Sequence, residues 1–174
     1  MPELTDALTL SLTGAAIDEH SPLGDILGEL VRQLGTGAGA ARALGVSPTT
    51  FYRWRNAATG KSAGVRQQPK TGRRTMVAAI RRAALNPGKE NAIRTGAHPL
   101  KVKGTFHVSA DVRVRTVNFG PYIFQQDRDR FVEAWLAGDD ERADRSLWDA
   151  IELRYLEGLE IDNIVYAQFT QGDI

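Results

Sequence analysis

Residues 1–20 alternate leucine with polar residues weakly, from Pro22 apolar residues recur every three or four positions, and in the second half much of the chain alternates every second position. Leu23, Ile26, Leu27, Leu30, Val31 and Leu34 form one such stripe, which predicts an amphipathic helix that Gly35 terminates. The segment from Gly37 to Leu44 predicts a short second helix with Ala40, Ala41 and Leu44 on one face. Gly45 then suits the left-handed position just past a helix end, where a β-carbon would clash. Ser47 and Pro48 predict an immediate restart, one as a side-chain cap and the other at the first helical position, where no N–H is needed. In this third helix Phe51 and Trp54 point inward, Val46 fills the gap under the turn, and Thr49, Thr50, Tyr52, Arg53, Arg55 and Asn56 are left for other work.

After Asn56 the stretch AATGKSAGVRQQPKTGRR, with Lys61, Arg66 and Lys70, reads as a basic loop or wing. A helix follows from about Thr71 to Leu85, with Met76, Ile80 and Ala84 inward and Arg73, Arg74, Arg81 and Arg82 outward, until Asn86-Pro87-Gly88 stops it. A short basic segment then leads to His98-Pro99, the expected border between halves. Beyond it LKVKGTFHVSA, VRVRTVNFG and NIVYAQF alternate with period two, as half-exposed strands do. Val112 and Val114 alternate with Arg113 and Arg115, so one sheet face is expected to bury the valines and the other to present the arginines. Two helices, about Arg128–Leu136 and Glu141–Leu156, offer Phe131, Trp135, Leu147, Trp148, Ile151, Leu153 and Tyr155 as core.

These elements predict an α+β chain. An acidic N-terminal arm spans 1–20, a helix-turn-helix domain 21–60, a basic linker with an arginine-rich helix 61–99, and a small α+β domain with a mainly antiparallel sheet 100–174.

Charge sharpens the functional expectation. The formal net charge of the 174 residues is +1, yet residues 31–103 hold fifteen Lys and Arg against Glu90 alone. Residues 1–30 hold six acids and no Lys or Arg, and residues 127–174 hold thirteen acids against five arginines. A cationic middle attracts polyanions, because each cation set on a phosphate releases condensed counterions. The candidate DNA-binding residues are therefore Ser47, Thr49, Thr50, Tyr52, Arg53, Arg55, Asn56, Lys61, Arg66, Lys70, Arg73, Arg74, Arg81 and Arg82. Acidic helices repel DNA, so the acidic end is expected to turn toward protein partners.

The chain has no cysteine, which excludes disulfides and cysteine zinc sites, and its three histidines, His20, His98 and His107, are scattered singly. There is no P-loop, no HExxH and no nucleophile elbow. Asp111, Glu133, Asp139, Asp140 and Glu141 can be arranged on paper as a two-metal nuclease cluster, but acids at helix starts and in turns are commoner as caps. The expectation is a non-enzymatic, cytoplasmic, nucleoid-associated protein with neither membrane span nor secretion signal, and with no metal or cofactor of its own.

The order of elements, with GAGAARALGVSPTTFYRW, RTMVAAIRRA, FHVSADVRVR and IDNIVYAQF, resembles the terminal proteins that cap linear replicons of actinomycete bacteria. The resemblance runs from about Leu30 to the C-terminus. It implies binding to telomeric DNA ends, a telomere-associated protein and a DNA polymerase as partners, and covalent linkage to the DNA 5′ end through a side-chain hydroxyl that primes synthesis. Ser109 stands at the matching position, as serine where the family has threonine, with Thr105 and Thr116 as neighbouring hydroxyls. The competing expectation is a phage or plasmid repressor, a homodimer joined through its α+β half.

Overall fold

The structure is a computed structural model, and it describes residues 4–61, 69, 71–108 and 111–170. Among these are eight helices and a three-stranded antiparallel sheet, so the chain is α+β. It divides into two compact units, one of Ile17–Ala84 with Leu136–Gly138, the other of Met1–Ala16, Leu85–Trp135 and Asp139–Ile174.

The first unit is helical. Helix α2 (Leu23–Leu34) is closed by Gly35 at φ 79°, whose N–H donates to the Val31 carbonyl. Helix α3 (Gly37–Ala43) starts on Thr36, whose hydroxyl accepts the Gly39 N–H at 2.9 Å, and ends before Gly45 at φ 68°. Helix α4 (Pro48–Ala58) starts on Ser47, and α5 (Arg73–Ala84) follows. The core collects Ile26, Leu27 and Leu30 of α2, Ala40 and Ala41 of α3, Phe51 and Trp54 of α4, and Met76, Val77 and Ile80 of α5, with Val46 packed against it from the turn. Alanine at the crossing lets two helix axes approach, and the two aromatic rings fill the space between them.

Arg81 departs from expectation. Its side chain is 1 % exposed, because the inward arc of α5 runs through Met76, Val77, Ile80 and Arg81 and not along Met76, Ile80 and Ala84 alone. Arg81 follows Val77 by four residues and shares its face.

The second unit is built on the sheet. Strands β1 (Leu100–Val108), β2 (Asp111–Asn118) and β3 (Glu160–Phe169) lie in the order β2-β1-β3. Leu100, Val102 and Phe106 of β1, with Ile161, Ala167 and Phe169 of β3, make the covered face. Against it pack α7 (Gln125–Leu136) and α8 (Asp140–Arg154), which bury Phe131, Trp135, Leu147 and Ile151, the Phe131 ring lying 5.4 Å from that of Phe169. Leu153 was an expected core residue and is 77 % exposed, since α8 turns its Ala143, Leu147, Ala150, Ile151 stripe inward and Leu153 falls outside it.

Three further expectations are corrected. The 1–20 segment contains α1 (Leu4–Thr13), in which Leu4, Leu8 and Leu12 form one buried stripe and Thr5, Thr9 and Thr13 another. The indole N–H of Trp135 donates to the Thr9 hydroxyl at 2.9 Å, and the Thr5 N–H and hydroxyl both donate to Asp144, so α1 belongs to the core of this unit. Asn86-Pro87-Gly88 ends α5 but also begins α6 (Pro87–Thr95), with Asn86 accepting the Lys89 N–H and Pro87 at the first helical position. The division between units thus falls at Leu85 and not at His98-Pro99. Finally, Val112 and Val114 are 53 % and 66 % exposed. The register sets Val112 opposite His107 and Val114 opposite Thr105, while Arg113 stands opposite Phe106 on the covered face. Arg113 is nonetheless 70 % exposed, so the helical cover stops short of β2.

Candidate nucleic-acid interface

Helix α4 presents its polar side chains in a definite order. Phe51 and Trp54 are 0 % and 5 % exposed, which fixes the rotation of the helix about its axis. Thr49, Tyr52, Arg53 and Asn56 then stand on the opposite side at intervals of three, one and three, and all four are exposed. Thr50 and Arg55 flank that face, half-buried. Eleven residues make a rod about 16 Å long, and a duplex major groove is about 12 Å wide and admits such a rod.

The start of the helix is held by side-chain chemistry. Ser47 accepts the Thr50 N–H at 3.2 Å, and the two hydroxyls lie 2.9 Å apart. Ser47 and Thr50 were candidate DNA contacts, and their hydroxyls are engaged with each other and with the helix end. At the far end the Thr59 hydroxyl donates to the Arg55 carbonyl at 2.9 Å. Tyr52 lies over the first turn of α3, where a β-carbon on Gly37 would stand 2.6 Å from the phenol oxygen. Its ring meets that of Phe51 edge-on, centroids 6.1 Å apart. A glycine at 37 therefore leaves room for the tyrosine that borders the exposed face.

The remaining candidates separate by environment. Lys61, Arg73, Arg74 and Arg82 are exposed. Arg73 donates to the Ser21 carbonyl at 3.2 Å and Arg74 to the Ala137 carbonyl at 3.4 Å, each through part of a guanidinium that has five donors in all. Arg81 is removed from solvent and does not present its charge outward. Arg66, Lys70 and Ser109 lie outside the described residues. Two cations of the same unit lie outside that candidate set: Arg32, exposed on α2 and paired with Glu29, and Arg42, exposed in the last turn of α3. The signal for Arg42 is its place outside the Ala40, Ala41 and Leu44 stripe, which marks the buried face of α3.

By count, the helical unit holds eleven Lys and Arg against four Asp and Glu, a net of +7, and the sheet unit eleven against seventeen, a net of −6. No Asp or Glu occurs between Glu29 and Glu90, so α3, α4 and α5 carry cations without an acid among them. Glu29 itself is committed to Arg32 and Gln33 of its own helix, at 2.7 and 2.8 Å.

Three of the five acids that invite a nuclease reading are engaged elsewhere. Asp111 holds Arg113 and Arg115 at 2.7 and 2.8 Å, Asp139 accepts the Arg142 N–H at the start of α8, and Glu141 pairs with Arg145. Among the described residues no three His, Asp or Glu side chains are grouped so as to hold a metal ion, and no described helix is long and apolar enough to cross a membrane. No protein-family model, no curated protein and no solved structure matches the chain.

Proposed function

We propose that this chain binds duplex DNA by laying α4 in the major groove as the second helix of a helix-turn-helix, and that it serves as a telomeric terminal protein of a linear replicon. The observation that carries the DNA reading is the single exposed face of Thr49, Tyr52, Arg53 and Asn56 over a buried Phe51 and Trp54, in a unit of net charge +7. Arginine and asparagine are the side chains that bond bidentately to guanine and adenine edges, and threonine and tyrosine serve phosphates. Ser47 and Pro48 support the geometry by starting the helix sharply.

The terminal-protein part rests on the resemblance of FHVSADVRVR and the segments around it. In that role the Ser109 hydroxyl attacks the α-phosphate of the first deoxynucleoside triphosphate. A phosphodiester forms to the serine oxygen, pyrophosphate leaves, and the hydroxyl proton passes to a base of the polymerase, which also supplies the metal ions. Such a protein needs only an accessible oxygen and a surface that a polymerase recognises.

Incubation with a cognate replication extract and labelled dCTP, followed by a denaturing gel, tests this directly. The terminal-protein role predicts a labelled protein band that Ser109→Ala abolishes. A band that survives Ser109→Ala moves the priming hydroxyl elsewhere. Operator binding with two half-sites one helical turn apart and no labelled band assigns the chain to the repressor class instead.

A further inference from the structure

The two edges of the sheet are treated differently. Strand β3 has α1 alongside it, its pairing with β1 is interrupted by a register shift between Lys103 and Thr105, and Asn163 takes a positive φ of 47°. A bulge and a flanking helix are the usual devices that keep an edge from pairing with another chain. Strand β2 has neither. Its register against β1 is regular from Lys101↔Asn118 to Val108↔Asp111, it contains no proline and no lysine, and among the described elements only β1 packs closely along it. On its open face Val112 and Val114 stand more than half exposed, two apolar side chains in a unit of net charge −6.

We infer that β2 is an assembly edge, which pairs antiparallel with β2 of a second copy of this chain to make a continuous six-stranded sheet. The strand is complementary to itself. A two-fold axis normal to the sheet sets residues of equal parity opposite each other, because opposed residues share a face. With the axis at Arg113, Val112 meets Val114 of the second copy and Val114 meets its Val112. On the other face Asp111 meets Arg115 of the second copy, twice over, and Arg113 meets its own equivalent. Moving the axis to Val114 would instead oppose Arg113 to Arg115 twice and leave both aspartates without an arginine across the strand gap. Charge therefore selects the Arg113 axis. Within one chain Asp111 already holds Arg113 and Arg115, which places all three side chains in one plane of the edge. A pairing this short buries less than a permanent dimer does, so association is reversible and concentration-dependent.

The pairing neither requires nor excludes DNA binding by α4. Sedimentation velocity on the full chain, from micromolar to millimolar, reads it without DNA. The wild type is expected to move from monomer to dimer with rising concentration. Val112→Lys with Val114→Lys raises the dissociation constant roughly tenfold or more, since two cross-strand apolar contacts are lost and cations face each other. Both positions are exposed, and an unchanged far-ultraviolet circular dichroism spectrum verifies that the variant folds. Arg113→Thr acts in the other direction. It removes the one like-charge pair at the axis and tightens the dimer by about threefold or more. Val165→Lys, on the other edge, leaves the dimer as it was. A wild type that stays monomeric at every concentration, a dimer indifferent to the lysine pair, or an Arg113→Thr variant that weakens association would each overturn the assignment.

Discussion

The helical and sheet units hold the same number of cations and put them to opposite use. Eleven Lys and Arg in the sheet unit are set among seventeen acids, and five of them, Arg94, Arg113, Arg115, Arg145 and Arg154, are locked into ion pairs. Arg154 makes the most buried of these pairs: it meets Asp127 at 2.6 Å, donates to the Tyr122 carbonyl and lies 4.0 Å over the Phe124 ring. In the helical unit the four acids all precede the first arginine, and on the helices that follow Arg42, Arg53, Arg73, Arg74 and Arg82 face outward, with Arg81 the one buried arginine of α5. A count of basic residues thus predicts little. What matters for a polyanion is whether acids nearby have already neutralised the cations.

The contrast can be broken most forcefully at the core of α4. Phe51→Ala removes a fully buried ring from the helical unit and is expected to cost about 3–5 kcal/mol, enough to release α4 from its neighbours and abolish the proposed DNA binding. Urea denaturation together with a gel-shift titration reads both effects. Arg53→Ala leaves the fold intact and is expected to weaken binding by about 1–3 kcal/mol if the guanidinium reads a base, with the loss confined to the cognate sequence. An equal loss on every sequence, with a shallower salt dependence, assigns Arg53 to a phosphate. Ser47→Ala removes the cap that accepts the Thr50 N–H and is expected to lower thermal stability by about 1 kcal/mol.

Acid separates the units by sign. At Glu29 burial pushes the carboxyl up, but hydrogen bonds from Arg32 and Gln33 outweigh it and leave the group below its ordinary value of 4.5. Glu29 therefore stabilises the helical unit above the unfolded value, and that contribution is lost as pH falls through the depressed folded one. Asp144 is the reverse. Burial, with Asp6 and Asp140 nearby, raises it above 3.8 against the hydrogen bonds from Thr5. Its contribution to the sheet unit is complete below the unfolded value and is lost as pH rises through the raised folded one. Hydrogen exchange followed peptide by peptide across an acid titration should show the α2 amides losing protection that Glu29→Gln makes pH-independent. At neutral pH, Asp144→Asn should increase protection in α1 and α8.

The parts of the fold that were legible in the sequence are those fixed by local chemistry. Gly45, Ser47 and Pro48 lie within four residues and determine where one helix stops and the next begins, whatever surrounds them. Helix α1 was not legible because its burial depends on Trp135 and Asp144, partners 126 and 139 residues away. Its leucines, spaced by four, were masked by a weak alternation with polar residues. The valines of β2 show a related limit. Alternation establishes that a strand has two faces, and only the register against β1 decides which of them is covered. Arg81 was misplaced for a third reason, since a stripe drawn through apolar residues alone cannot include a buried arginine. Of the candidate interface, the exposed quartet on α4 follows from Phe51 and Trp54, whereas Arg42 lies on a helix whose Ala40, Ala41 and Leu44 stripe marks the buried face alone.

The central proposal is that the exposed side of α4 lies in a duplex groove, and dimethyl sulfate protection on the terminal duplex of the proposed linear replicon tests it most directly. The full chain is predicted to shield guanine N7 atoms over one short run in the major groove, and the Tyr52, Arg53 and Asn56 triple alanine variant is predicted to leave them reactive. Full reactivity of every guanine at low salt with the wild-type chain in excess, or shielding that the triple variant retains, would contradict it.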